Sequence, residues 1–223
     1  INLTESGYEC YSPKWVMGGE AIVWFSGRNG MKSHGSWGTQ VDAYAMFLTQ
    51  GAYDKFKLTP AELEQLEAAK KDEEGEGSDK EASKKDKKKG KKDKSEEEEA
   101  KPLVFDLERA KDRTARLTIH SSSLSDAILS KDGSKLYYLS AFEKGFDLWV
   151  QDFKKNETKL LAKLGSGGGA LKFDKEEANI IVISHRAITK IDVASGAPTP
   201  VAYSAKMELN QQEEFEIRED AVL

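Results

Sequence analysis

The side chains with chemistry to offer are few and scattered. His34, His120 and His185 each stand alone, without a second ligand at metal-binding spacing. His120 lies in "TIHSSS" with serines beside it, but a nucleophile and its base are brought together by the fold rather than by adjacency. No G-x-S-x-G elbow occurs. The expectation is therefore no catalytic residue, no metal and no cofactor within this stretch. "GSGGGA" at 165–170 matches the G-x-G-x-x-A of a dinucleotide turn, which works only when a helix follows. The residues after it read as a hairpin, so the glycines are expected to be a flexible linker. Arg28 and Arg186 hold more interest, because each lies two residues after a serine, in "SGR" and "SHR". Either they tie down acidic neighbours such as Asp42 and Asp192, or they form a basic rim for peptide carboxylates. His34 and Trp37, in "SHGSWG", complete the set of candidate peptide-binding residues.

Those serines belong to a repeat. "PKWVMGGEAIVWFS" (13–26), "SDAILSKDGSKLYYLS" (125–140) and "ALKFDKEEANIIVIS" (170–184) share one outline: an apolar segment, a polar turn, then an apolar run closing on serine. Aligned on Ser26, Ser140 and Ser184, they place Trp15, Leu129 and Phe173 in one column. The runs are β-branched and aromatic, as in buried strands. Third strands follow in "DAYAMF", "DLWVQD" and "ITKIDV", and fourth strands in "TKLLA" and "TPVAY". In the first unit "PLVFDLE" (102–108) is expected to resume the sheet after an insertion. Trp15, Trp24, Tyr137, Tyr138 and Trp149 are assigned to packing between sheets.

A strand-rich repeat of this length predicts an all-β fold, a β-propeller portion of about three four-stranded blades. The expected organisation is strands one to three of a first blade at 1–57 and an insertion at 58–101. The fourth strand and a linker follow at 102–117, a second blade at 118–162, a third at 163–203, and a linker segment at 204–223. Rings need more than three blades, so the chain is expected to belong to a longer polypeptide.

The insertion opens with "TPAELEQLEAAKK", read as a short helix capped by Thr59 with Glu62 closing a capping box. Residues 70–101 carry 12 lysines and 12 acidic residues and no aromatic side chain. Such a segment buries too little apolar surface to offset its ordering entropy and is expected to be disordered. The net charge of −5 argues against a nucleic-acid binder. The single cysteine, Cys10, excludes an internal disulfide framework, and no apolar run is long enough to span a bilayer.

The stretches "NLTESGYECYSPKWVMGGEAIVWFSGRNG", "SHGSWGTQVDAYAMF" and "RLTIHSSSLSDAILSKDGSKLYYLSAFEKGFDLWV" resemble the propeller region of tricorn-like serine peptidases, and "AKMELNQQEEFE" is similar to the segment leading out of it. The resemblance implies further blades, a PDZ-like module and a catalytic portion in the same polypeptide, with peptides or unfolded segments as partners. It implies a serine-type hydrolase for the whole and a non-catalytic filter or channel for this portion. An oligomer is compatible with it, and the periplasm is favoured over the cytoplasm. The alternative is a propeller scaffold of a non-enzymatic protein-binding protein, such as an envelope-associated adaptor.

Overall fold

The computed structural model describes residues 2–36, 38–66, 104–184 and 187–204. The expected disordered run at 70–101, and the linker segment beyond 204, lie outside these residues. Twelve strands form three four-stranded antiparallel sheets, each built from strands consecutive in the chain. The first sheet has β1 (Cys10–Val16), β2 (Ala21–Ser26), β3 (Asp42–Phe47) and β4 (Thr114–Arg116). The second has β5 (Ser123–Leu129), β6 (Lys135–Glu143), β7 (Gly145–Asp152) and β8 (Glu157–Ser166). The third has β9 (Ala170–Phe173), β10 (Asn179–Ser184), β11 (Ala187–Asp192) and β12 (Pro198–Val201).

The repeat is real at the level of register. Trp15 pairs with Ile22, Leu129 with Leu136 and Phe173 with Ile180, each partner lying four residues before its closing serine. The serines themselves pair with the start of the third strand, Ser26 with Asp42, Ser140 with Asp147 and Ser184 with Ala187. The tight turn of the second hairpin uses Gly133 at φ 74°, a conformation glycine adopts without a Cβ clash.

Side-chain alternation then decides the packing, because successive residues of a strand point to opposite faces. Val23, Phe25 and Ala45 of the first sheet meet Ala127, Leu129, Leu136 and Tyr138 of the second in one buried cluster. Ile128, Tyr137, Leu139 and Val150, on the other face of the second sheet, meet Leu171, Ile180 and Val182 of the third. Leu129 and Phe173 therefore face the sheet before their own. Trp15 occupies the same column, and its face is the outer one of the first sheet. Contrary to the expectation of burial between sheets, Trp15 is 63% exposed and stacks on Phe105, ring centroids 5.9 Å apart. Tyr137 and Tyr138 are buried between sheets as expected; Trp24 is buried on the outer face of the first sheet, against Tyr44 and Met46, and Trp149 is half-buried.

Polar groups join the sheets where the first strands of the three run side by side. Asp126, buried on β5, accepts from Lys14 Nζ on β1 and from the Leu171 N–H on β9 at 2.6 Å. One carboxylate thus touches all three sheets. The first and second sheets are also joined through α1 (Gln50–Lys57), a helix within the 1–57 stretch expected to hold only strands one to three. Thr49 caps it by accepting from the Ala52 N–H, and Phe56 packs on Phe47 and Phe153. Lys154, from the turn after β7, donates to the carbonyls of Lys55, Phe56 and Leu58 at its C-terminal end. A second helical stretch occupies 60–66. The expected capping box closes there, with the Thr59 N–H donating to Glu62 at 2.8 Å and the Glu62 N–H to Thr59 Oγ1 at 3.4 Å.

The fourth strand of the first sheet is not "PLVFDLE". Residues 104–107 have no strand structure, and β4 begins only at Thr114. Arg113 explains the delay: its buried guanidinium binds the carbonyls of Phe47, Asp106 and Glu108 and so holds 106–108 as a loop over the end of β3. The glycine run leads from β8 straight into β9 without a helix, so it is no dinucleotide turn. A Cβ on Gly169 would lie 2.6 Å from the Ile183 carbonyl oxygen, which makes close approach its reason. At the far edge, the Asp192 N–H donates to the Ala197 carbonyl. Positions 197, 199 and 201 therefore turn their peptide groups toward β11, and Pro198 and Pro200 turn theirs to the open side.

Asp126→Ala should lower unfolding free energy by about 2–3 kcal/mol, since it strips a charged acceptor from two donors; urea denaturation measures it. Burial pushes the Tyr137 and Tyr138 phenols up to about 12, with Asp132, Glu177 and Asp152 adding to the effect at Tyr137. The neutral phenols stabilise the fold fully below the unfolded value near 10, and that contribution is lost as pH rises through about 12. Near-ultraviolet absorbance should show a late phenolate step that shrinks in Tyr138→Phe.

Candidate functional site

The loop between β2 and β3 carries most of the candidate residues. It is held by the Lys32–Thr39 bridge, by the Gln40 N–H donating to the Met31 carbonyl at 2.9 Å, and by the Ser33 N–H donating to the Gly38 carbonyl at 3.1 Å. His34 is exposed at its tip in a short 3-10 turn, His34–Ser36. Trp37 and Arg186 lie outside the described residues. Arg28 sits at the root of the loop, where its side chain lines a cavity on the outer face of the first sheet. His34 does not reach that cavity.

The cavity has a volume of about 150 Å³, with Trp24, Ser26 and Tyr44 from the sheet beneath and Thr4, Arg28 and Lys111 around it. Tyr44 is only 8% exposed, and its hydroxyl is buried with no hydrogen-bond partner. A buried hydroxyl left in this state costs about 1–3 kcal/mol. Burial raises the phenol's pKa, with Asp42 adding and Arg116 and Arg28 opposing. Arg28 is thus within electrostatic reach of the orphan hydroxyl.

Asp42 is not the partner of Arg28. It is fully buried and accepts from Arg116, Thr118 and Ser121, each at 2.8 Å. Asp192 is likewise engaged by its own turn, accepting from the N–H and hydroxyl of Ser195 at 2.7 and 2.6 Å. Lys111 pairs with Glu5. Among the described residues Arg28 makes no ion pair and no side-chain hydrogen bond, which leaves the cavity with one net positive charge. Such a pocket can accept a small anion at the fork of N–H donors that Arg28 offers, with the Tyr44 hydroxyl buried beneath it. Arg28 was legible through the repeat. Tyr44 and Lys111 were not, although the alternation of "DAYAMF" places Tyr44 on the face of Trp24, on which it stacks at 5.9 Å.

A larger groove, about 390 Å³, runs between the outer ends of the second and third sheets. Lys135, Lys155 and Lys159 alternate there with Glu157 and Glu177 above Tyr137. With Asp152 and Asp192 also in the lining, its charges are of both signs. Among the described residues no cluster of potential metal ligands occurs, and no helix is long and apolar enough to cross a membrane.

The fold now stands beside known proteins. No family model and no curated protein matches the chain. Among solved structures it is similar to the tricorn protease, with a TM-score of 0.54 and 12% identity over 92% of this chain. It is also similar to TolB from Acinetobacter baumannii, with a TM-score of 0.50 and 10% identity over 91% of this chain. The chain spans 18% and 34% of the lengths of those two proteins. At such identities the likeness defines the fold alone: three propeller-type blades stacked face to face.

Because its hydroxyl is orphaned, Tyr44→Phe should raise unfolding free energy by about 1 kcal/mol. Thermal and urea unfolding of the ligand-free protein check this, and a loss of stability would mean the hydroxyl is already satisfied.

Proposed function

We propose that the chain is a non-catalytic propeller portion of a tricorn-like serine peptidase, where it shapes peptide access or product exit and supports the catalytic portion. The partners are then peptides or unfolded segments, together with the remaining blades and the PDZ-like and catalytic portions of the same polypeptide. The observation that carries this reading is Arg28. Among the described residues its guanidinium has no partner, while the acidic side chain that was the obvious one is saturated by others. An exposed arginine with no partner among the described residues contributes little to folding and suits recognition. The resemblance of "SHGSWG" and "AFEKGFDLWV" to that family, and the fold likeness to the tricorn protease, support the same reading.

The second reading, a scaffold of a non-enzymatic protein-binding protein, draws on the fold likeness to TolB. The two part on the chemistry of the parent polypeptide: labelling of a serine by a fluorophosphonate, with peptide turnover, belongs only to the first.

In fluorescence anisotropy with labelled unfolded peptides, Arg28→Ala should weaken binding about tenfold and flatten its salt dependence, with melting temperature unchanged. Unchanged affinity with a lower melting temperature would make Arg28 a structural residue and remove the basis of the proposal.

A further inference from the structure

The groove at the outer ends of the second and third sheets lies between two blades that this chain itself supplies, so a further blade on either side of the stack leaves it open. Contacts from sheet to sheet hold both of its flanks. On one, the Glu177 carboxylate accepts from the Lys131 N–H at 3.0 and 3.1 Å. On the other, the turn after β11 rests on β8, where a Cβ on Gly196 would lie 2.1 Å from the Leu161 carbonyl oxygen. Strand pairing orders what lies between. Lys135, Asp152 and Glu157 form one cross-strand row, and Tyr137, Val150 and Lys159 form the next. Leu161 and Val193 extend the apolar floor. The volume of about 390 Å³ falls near the lower end of the roughly 300–1,000 Å³ usual for ligand pockets.

The two signs of charge in this lining are not equivalent. The carboxylates are fixed: Asp152 Oδ1 accepts from the N–H groups of Lys154 and Lys155, each at 3.0 Å, while Ser195 holds Asp192 Oδ1 and Lys131 holds Glu177. Among the described residues Oδ2 of each aspartate has no partner. Lys135, Lys155 and Lys159 form no ion pair among the same residues, and the last two are exposed and free to turn to water. Four carboxylates against three ammoniums also leave one net negative charge.

The geometry points to a groove that binds the basic side chain of a lysine or arginine in a peptide segment, with its stem on Val150, Leu161 and Val193 and its head taken by Asp152, Asp192 and the Tyr137 hydroxyl. A long stem with a charged tip covers apolar surface while its charge stays at the carboxylates. Such a head group only donates, as positioned acceptors require. An acidic side chain would have to order mobile lysines and face carboxylates that cannot withdraw. The rise of the Tyr137 phenol, due first to burial and then to Asp132, Glu177 and Asp152, marks the same negative field on the floor. This site lies apart from the Arg28 cavity, takes the opposite charge and does not depend on the reading of that residue.

The test titrates the full chain by calorimetry with peptides blocked at both ends. A peptide of neutral residues around one lysine should bind, and more weakly as salt rises. Its norleucine counterpart keeps the stem and loses the charge, and should bind about 10- to 100-fold more weakly. Asp152→Asn and Asp192→Asn, whose amide oxygens can still accept from their turns, should each cost several-fold, and Tyr137→Phe less. Glu143→Gln, at the opposite end of β6 from Lys135, should leave affinity unchanged. Circular dichroism and melting temperature establish that each variant is folded. Equal binding of the lysine and norleucine peptides, or preference for a glutamate peptide, overturns the choice of a basic side chain. Spermidine binding as tightly as the lysine peptide overturns the choice of a peptide. Full affinity in a folded Asp152→Asn, Asp192→Asn double variant overturns the site, and loss in Arg28→Ala alongside it assigns the peptide to the Arg28 cavity. Either failure leaves the Arg28 reading to its own test.

Discussion

The middle sheet of this protein is apolar on both faces, and that constraint organises everything else. A strand with large side chains at every position cannot present one face to water, so sheets must stack. The second sheet shows the completed case: Leu136 and Tyr138 are buried against the first sheet, Leu139 and Val150 against the third. Fully burying a side chain of this size stabilises by about 1.5–3 kcal/mol, far more than any surface ion pair in the structure. The outer faces of the first and third sheets also carry large apolar side chains, with exposed Trp15 on one and exposed Ile183 on the other, and lack such a cover within the described residues. They are the natural seats of further blades in the proposed parent.

Polar groups then fix how the stack is registered. Buried carboxylates recur where strands begin: Asp42 holds the segment returning to the second sheet through Thr118 and Ser121, and Asp147 holds the end of β8 through the Leu164 and Gly165 N–H groups. Asp126 acts between sheets instead of within one. Saturating these acids is what isolates Arg28. Its pocket exists because the neighbouring negative charge is consumed by the fold.

The sheets were legible because their signal is local. Alignment on three serines reproduced the strand registers, since a hairpin with an invariant run after its turn has nowhere to slip. Burial was less legible. The column of Trp15, Leu129 and Phe173 is one structural position, yet exposure of a position depends on whether a sheet lies opposite. The missed elements are those whose cause lies elsewhere in the chain. β4 is short because Arg113 binds carbonyls near residues 47 and 106–108, and α1 depends on Lys154, about a hundred residues away. At the site, the repeat exposed Arg28, but that Tyr44 lacks an acceptor is a fact of three-dimensional neighbourhood.

The two prolines of β12 bear on how such a molecule can associate. Their peptide nitrogens point to the open flank and carry no hydrogen, so an incoming strand would find acceptors there and miss its donors at alternate rungs. Lateral recruitment of a fifth strand, the first step toward fibrils, is blocked at that flank. At that flank the third sheet can be layered upon but not widened.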